Sequence, residues 1–368
     1  MRLQASGFSF PAPARLMLLF VIGRLVDRFG QRVMMTVVGL LLGLACFWNS
    51  VVIGPVMLFF GFFMLRLFGQ GSMTLVPNTL VPQWFIEKRG RAMSVMTVGA
   101  FASSAALPPL NAWMIESWGW EAAWRVWGLL LILVFAPLVF YFVRNRPEDV
   151  GLLPDNTAVH QESEGVPGTA GSYEDSWTLK EAMRTRAFWL VLLCVSIPAM
   201  VNTGVTFQLV SILGQQGIEP TTAALVLSLM AMIGFPMMFL TGYVVDRFKV
   251  HRVLGFSFIG QLGFLILLLF VHSAAMAVVF GVVWGIVNGI ERITLNVVWP
   301  DYFGRKHLGS IKGFATTFIV IGSAFGPLPF GVAFDLFHGY TQIIIAMMVF
   351  PIVGCFSAFI SSPPVKSY

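Results

Sequence analysis

The chain has 368 residues, 57% of them hydrophobic and 11% charged, with a formal net charge of +6 and a mean hydropathy of +0.82. A soluble domain carries about 25% charged residues, so this composition cannot cover a water-facing surface. A charge of +6 gives no ground for a nucleic-acid partner. Apolar runs of about 20 residues, the length that crosses a hydrocarbon core of about 30 Å, recur along the chain. The alternating segments of about ten residues expected of a transmembrane barrel are absent. The class is an all-α, multi-pass membrane protein.

In chain order the predicted spans are 7–23, 33–53, 56–80, 92–113, 123–143, 188–213, 221–242, 253–272, 275–299, 311–333 and 340–360, about eleven helices. The first is weak, because Pro11, Pro13 and Arg15 leave only Leu16–Gly23 as an unbroken apolar run, and residues 1–22 do not read as a cleavable signal peptide. Pro77, Pro198, Pro236 and Pro327 do not veto helices, since packed neighbours can satisfy freed backbone groups. A polar stretch over 144–187, rich in Gly, Pro, Glu and Asp, reads as a flexible linker. It closes with "TLKEAMRTRAFW", where Thr178 and Glu181 have capping-box spacing for a short interfacial helix. The expected organisation is a five-span bundle over 1–143, the linker over 144–187 and a six-span bundle over 188–368.

Basic residues set the orientation. One alternating set of loops holds Arg24, Arg28 and Arg32; Lys88, Arg89 and Arg91; Arg144 and Arg146; Lys180, Arg184 and Arg186; Arg247, Lys249 and Arg252; and Arg305, Lys306 and Lys312. The opposite loops carry Glu116, Glu121, Glu219 and Asp335 instead. By the positive-inside rule the basic set, the linker and the C-terminus are cytoplasmic, in a cell membrane of the bacterial inner or plasma type.

Internal repetition is the most informative feature. Gly23-x-x-x-Asp27-Arg28-Phe29 aligns with Gly242-x-x-x-Asp246-Arg247-Phe248, an offset of 242 minus 23, or 219. Asn78, Pro82 and Phe85 align with Asn296, Pro300 and Phe303 at 218, and Gly90-x-Ala92 aligns with Gly313-x-Ala315 at 223. Parallel repeats of this kind occur in transporters. On "GRLVDRFGQR" (23–32), its degenerate copy "GYVVDRFKVHR" (242–252) and "RLFGQG" (66–71), the chain resembles the major facilitator superfamily over essentially its whole length. "RPEDVGLLPD", "TLKEAMRTRAFW" and "DYFGRKHLGSIKG" are similar to its monocarboxylate and oxalate/formate porter branch.

The resemblance implies two pseudo-symmetric helical bundles and secondary transport by alternating access. It also implies that the family's first helix is missing here, which a wrong translation start or a truncated gene would explain. The loop signature (Gly23, Asp27, Arg28, Gly30, Arg32, and Gly242, Asp246, Arg247) is then a gate. Asp27 and Asp246 can face the positive ends of helices in the other half, and Arg28 and Arg247 are expected to pair with acidic or carbonyl groups. Gln31, often basic in the family, and Lys249, where the first copy has Gly30, depart from the pattern.

Ionisable residues inside spans are few, and each is a functional candidate. Arg66, Gln70, Thr74 and Asn78 recur every four residues and share a helix face. Trp284, Asn288, Arg292 and Asn296 follow the same spacing one repeat later. In the family these are cavity-lining helices. A guanidinium suits a carboxylate, so Arg66, Gln70, Asn78, Asn288 and Arg292, with Asn202 and Gln208 as secondary contacts, are the candidate substrate residues. Glu291 lies about 100° around the helix from Arg292 and is the proton-coupling candidate. The structural alternatives are an ion pair across the bundle for Glu291 and carbonyl contacts for Arg66.

The tryptophans at 113, 118, 120, 124 and 127 read as an interfacial belt. No cofactor or metal is expected: Cys46, Cys194 and Cys355 lie in apolar spans without ligand spacing. Neither a P-loop, nor HExxH, nor a nucleophile–base constellation appears, so the chain does not read as an enzyme. The expected partners are a small organic anion, protons and the bilayer, with the protein a monomer. The seventh span lacks the Asp/Arg pair found in many proton-coupled members of that branch. Efflux of another solute or drug remains open, although "GAFASSAALPP" lacks the antiporter-type G-x-x-x-G-P. So does a truncated, non-transporting membrane protein.

Overall fold

A computed structural model of the chain describes residues 12–156 and 176–366. The described residues form helices and turns, with no strand. The helices are α1 (Ala12–Phe29), α2 (Gln31–Ser50), α3 (Pro55–Trp84), α4 (Arg89–Leu129), α5 (Arg186–Gln215), α6 (Pro220–Val245), α7 (Val250–Leu269), α8 (Ala274–Phe303), α9 (Leu308–Phe337) and α10 (Thr341–Ile360). After α4 the helix runs on through Leu130–Phe135 to Phe142.

Among the described residues nine helices are long and apolar enough to cross a membrane: α2, α3, the stretch Pro109–Phe142, and α5 to α10. The weak span 7–23 begins outside the described residues, and α1, which carries its end, is not among the nine. The predicted spans 92–113 and 123–143 lie on either side of Gly119, where φ is 81° and ψ is 160°. Only glycine adopts that conformation readily, so the residue breaks the helix there.

Local chemistry explains the other boundaries. Proline occupies the first turn of α3 and α6, where its missing N–H costs nothing. Thr185 and Ser273 cap α5 and α8 by accepting the N–H of Phe188 and Met276. Pro77, Pro198 and Pro236 lie within helices, whereas Pro327 restarts α9 after Phe325.

The chain divides into two compact units. The first comprises Met1–Ile86, Val98–Ser176 and Arg305–Thr317; the second comprises Glu87–Thr97, Trp177–Gly304 and Phe318–Tyr368. The core of the first unit joins Ile22 and Val26 of α1, Met34, Met35 and Val38 of α2, and Leu75 and Val76 of α3. Close approach in this unit uses Gly43 and Gly128, each facing the other's carbonyl oxygen. The second unit has a larger core around Phe258, Phe264, Phe280, Trp284 and Phe330. There Gly281, Gly285 and Gly289 lie one turn apart on α8, and α6 packs onto that strip with Gly234 against Gly285 and Gly289. In lipid, where apolar contact alone gives little drive, such small-residue seams let helices associate.

The two described parts of the linker, 144–156 and 176–187, both fold locally. Its first part folds as short turns over Pro147–Val150 and Pro154–Asn156. Its last part is a short helix, Leu179–Ala182, with the predicted capping box: the Thr178 N–H donates to Glu181 at 2.9 Å and the Glu181 N–H to Thr178 Oγ1 at 3.3 Å. The hydrogen bond from the Thr178 backbone holds the Glu181 carboxyl below its usual range.

Candidate functional site

The two copies of the loop signature build the same object twice. In the first unit Asp27 sits at the start of α9: Oδ1 accepts the Gly309 N–H at 2.7 Å, and Oδ2 accepts the Ser310 N–H at 2.6 Å together with the Ser310 hydroxyl. In the second unit Asp246 sits at the start of α4. Its Oδ1 accepts the Gly90 N–H at 2.7 Å, and Oδ2 takes the Arg91 N–H at 3.3 Å and Arg91 Nε at 2.8 Å. A carboxylate at a helix N-terminus satisfies orphan N–H groups and complements the dipole. Burial pushes the Asp27 carboxyl above its usual range, opposed by the hydrogen bonds from Ser310 and Gly309 and by nearby His307.

Glycine is required for the approach. A Cβ on Gly23 would strike the Gly309 carbonyl oxygen, and one on Gly242 would lie 2.6 Å from that of Gly90. The structural counterpart of Gly90 is therefore Gly309, at an offset of 219, and not Gly313. The sequence alignment at 223 is wrong by one helical turn.

The signature arginines also need correction. Arg28 lies over the Phe29 ring at 5.4 Å and Arg247 over Tyr243 at 5.3 Å, both exposed and without the expected acidic or carbonyl partner among the described residues. The cation that completes a cap is Arg91, which sequence reasoning counted only as a basic loop residue. Arg32 stays at its own corner: Nε donates to the Phe140 carbonyl at 2.6 Å, and its backbone N–H to Asn145. Gly30 has φ of 81°, while Lys249, its counterpart, has φ of −60°, so the substitution goes with a different turn.

The polar row on α3 lies partly in a π-helical segment, Leu65–Ser72. Such segments are rare and frequent at functional sites. Within it Arg66 donates to the Gln70 side chain, both residues being exposed. Asn78 turns its amide to the Thr74 carbonyl at 2.7 Å, and its own backbone oxygen accepts from Lys312 Nζ at 2.9 Å. Lys312 is a buried lysine that sequence reasoning missed, having counted it as a loop charge.

The row on α8 runs from buried to exposed. Trp284 is fully enclosed, Asn288 and Asn296 are half-buried, and Arg292 is exposed with no carboxylate partner among the described residues. Glu291 is 2% exposed. It accepts from Asn202 Nδ2 at 2.9 Å, and Asn202 Oδ1 in turn accepts from Trp284 Nε1 at 2.7 Å. Among the described residues Glu291 forms no ion pair across the bundle. Gln208 belongs to a separate cluster, in which the Tyr340 hydroxyl meets Ser211 at 2.8 Å and Gln208 Oε1 at 3.4 Å.

Trp120, Trp124 and Trp127, with Leu107, Asn111 and Ile115, line a cavity of about 530 Å³, and Trp127 Nε1 donates to Asn111 at 3.1 Å.

A helical membrane protein with twin aspartate-capped helix starts and arginines on apolar spans has the build of a secondary transporter. The Major Facilitator Superfamily family model matches residues 2–327, and the chain belongs to that family of transporters. It is 24% identical to the uncharacterized transporter YycB of Bacillus subtilis (strain 168) over 306 residues, 79% of this chain and 68% of that protein. It is 25% identical to the uncharacterized MFS-type transporter YhjX of Escherichia coli (strain K12) over 174 residues, 46% of this chain and 39% of that protein. Among solved structures it resembles the E. coli fucose:proton symporter FucP, with a TM-score of 0.71 and 14% identity, covering 95% of this chain and 90% of that one. The proton:xylose symporter XylE matches with a TM-score of 0.66 and 13% identity, covering 95% and 83%.

Proposed function

We propose that the protein moves a small organic anion, a monocarboxylate in the first instance, across the cell membrane by alternating access of the bundles 1–143 and 188–368. Arg66 and Arg292 are its anion contacts, and Gln70, Asn78 and Asn288 are polar neighbours. The observation that supports this reading most is that both arginines are exposed on candidate spans without a carboxylate among the described residues. A guanidinium at such a place is costly unless it has a task, and its planar fork matches a carboxylate with two hydrogen bonds. Glu291 is the coupling group, an acid without a countercharge that can exchange a proton with the transport cycle. Asp27 and Asp246, with Gly23 and Gly242 allowing the approach, hold helix starts in this state and release them in the other.

The test is uptake into proteoliposomes across a carboxylate panel, with and without an imposed pH gradient. Arg292→Ala abolishes carboxylate uptake while expression is retained. Unchanged uptake in that variant removes Arg292 from the site. Asp27→Ala slows transport with little change in affinity, and a selective loss of affinity contradicts a gating role.

A further inference from the structure

We infer that Asn202 is a positioning residue for Glu291, itself set by Trp284, and that this chain of hydrogen bonds makes Oε1 of Glu291 the atom that takes up and gives back a proton. The inference rests on the proton-coupled reading above and deepens it. An indole can only donate, an amide has one donating and one accepting end, and an ionised carboxylate can only accept. Trp284 Nε1 donates to Asn202 Oδ1 at 2.7 Å, so the amide nitrogen of Asn202 has to face the acid, and it does so at 2.9 Å from Oε2. Trp284 cannot turn away, for it is fully enclosed between Phe264 and Phe280, with ring centroids at 5.8 and 5.4 Å.

Oε2 therefore accepts the same hydrogen bond whether or not the acid carries a proton. Oε1 is buried and has no hydrogen-bond partner among the described residues. An O–H bond can form at Oε1 and break again on release to water without disturbing Asn202. The amide of Asn202 is thus engaged at both ends, which makes it a poor substrate contact and a good orienting group.

Among the described helices in contact with α8, no other charged group bonds to Glu291. Of the helices packed on α8, α5 carries Arg186 and Cys194, α6 carries Tyr243, and α7 carries His251 and Arg252. On α8 itself Arg292, Asp301 and Tyr302 are the other titratable or charged groups. None of them bonds to Glu291.

The experiment is infrared titration of the full-length protein in liposomes, following the carboxyl C=O band that disappears in Glu291→Gln. In Asn202→Ala the ionised acid loses a donor, so the band's midpoint moves about one pH unit alkaline, a tenfold change in proton affinity. Trp284→Phe keeps an aromatic ring in the slot between Phe264 and Phe280 and loses the N–H together with the five-membered ring that carries it; it frees the amide to flip and moves the midpoint the same way by less. A midpoint unmoved in both variants, or no Glu291-dependent band that titrates, overturns the inference. Should the band shift as expected while wild-type uptake ignores a pH gradient, the positioning role stands and the coupling reading falls.

Discussion

The two aspartate caps share their geometry and differ in their chemistry. Asp27 and Asp246 lie 219 residues apart, and so do the glycines they meet, Gly309 and Gly90. Each carboxylate spreads over two consecutive N–H groups of a helix start. The third donor differs: a hydroxyl, Ser310, at the first cap and a guanidinium, Arg91, at the second. The Asp246 side chain is 6% exposed and that of Arg91 is 42% exposed, so the cation reaches a buried oxygen from a wet position. Backbone donors set the shape of the cap, and the side chain after the glycine sets its charge.

Perturbing the shared part should cost most and cost alike. Gly309→Ala places a Cβ 2.5 Å from Asp27 Oδ1 and 2.6 Å from the Gly23 carbonyl, and Gly90→Ala puts one 2.8 Å from Asp246 Oδ1 and into the Gly242 carbonyl. Each should destabilise by about 2–3 kcal/mol, the scale of overpacking against atoms that cannot retreat, read as melting midpoints in detergent. Gly119→Ala is the control. Nothing lies within 4 Å of its Cβ, but its φ is +81°, so it should cost only about 1–2 kcal/mol, from backbone strain alone. Equal losses at all three positions would make the close approach irrelevant.

Removing the carboxylates separates the copies. Asp246→Ala withdraws a charge-assisted partner from Arg91 and from two N–H groups and should cost about 2 kcal/mol. Asp27→Ala should cost about 1 kcal/mol, the usual value of an N-cap, because burial of that carboxyl works against its hydrogen bonds. The reverse order would break the comparison.

Much of this was legible in the sequence for physical reasons. Apolar runs announce spans because lipid leaves a helix few alternatives, and the aspartates announced themselves because a charged decapeptide between greasy runs recurs. What failed was short-range ambiguity. Gly313-x-Ala315 resembles Gly90-x-Ala92 in composition better than Gly309-Ser310 does, yet lies one turn too far along α9. The π-helical segment under Arg66 was invisible because a four-residue recurrence is read as an α-helical face before anything else. The Trp284–Asn202–Glu291 chain joins α5 to α8 across 89 residues, and no periodicity connects side chains on different helices. The partners expected for Arg28 and Arg247 rested on resemblance, and the structure leaves both arginines on aromatic rings.

The finest distinction is between Arg91→Ala and Ser310→Ala. An ion pair with one half-exposed member is worth at most about 1 kcal/mol and is screened by salt, whereas a neutral hydroxyl donor to a carboxylate is not. At low ionic strength the two substitutions should cost similar amounts, each within about 1 kcal/mol. On going from about 0.01 M to 1 M salt the Debye length falls from about 30 Å to 3 Å. The cost of Arg91→Ala should then shrink toward zero while that of Ser310→Ala stays constant. Melting midpoints of wild type and both variants at the two salt concentrations measure this, with each variant compared with wild type at the same salt so that bulk effects on the detergent cancel. If both costs fall together, the guanidinium and the hydroxyl act as equivalent donors, and the second cap gains nothing specific to its charge despite its 2.8 Å contact.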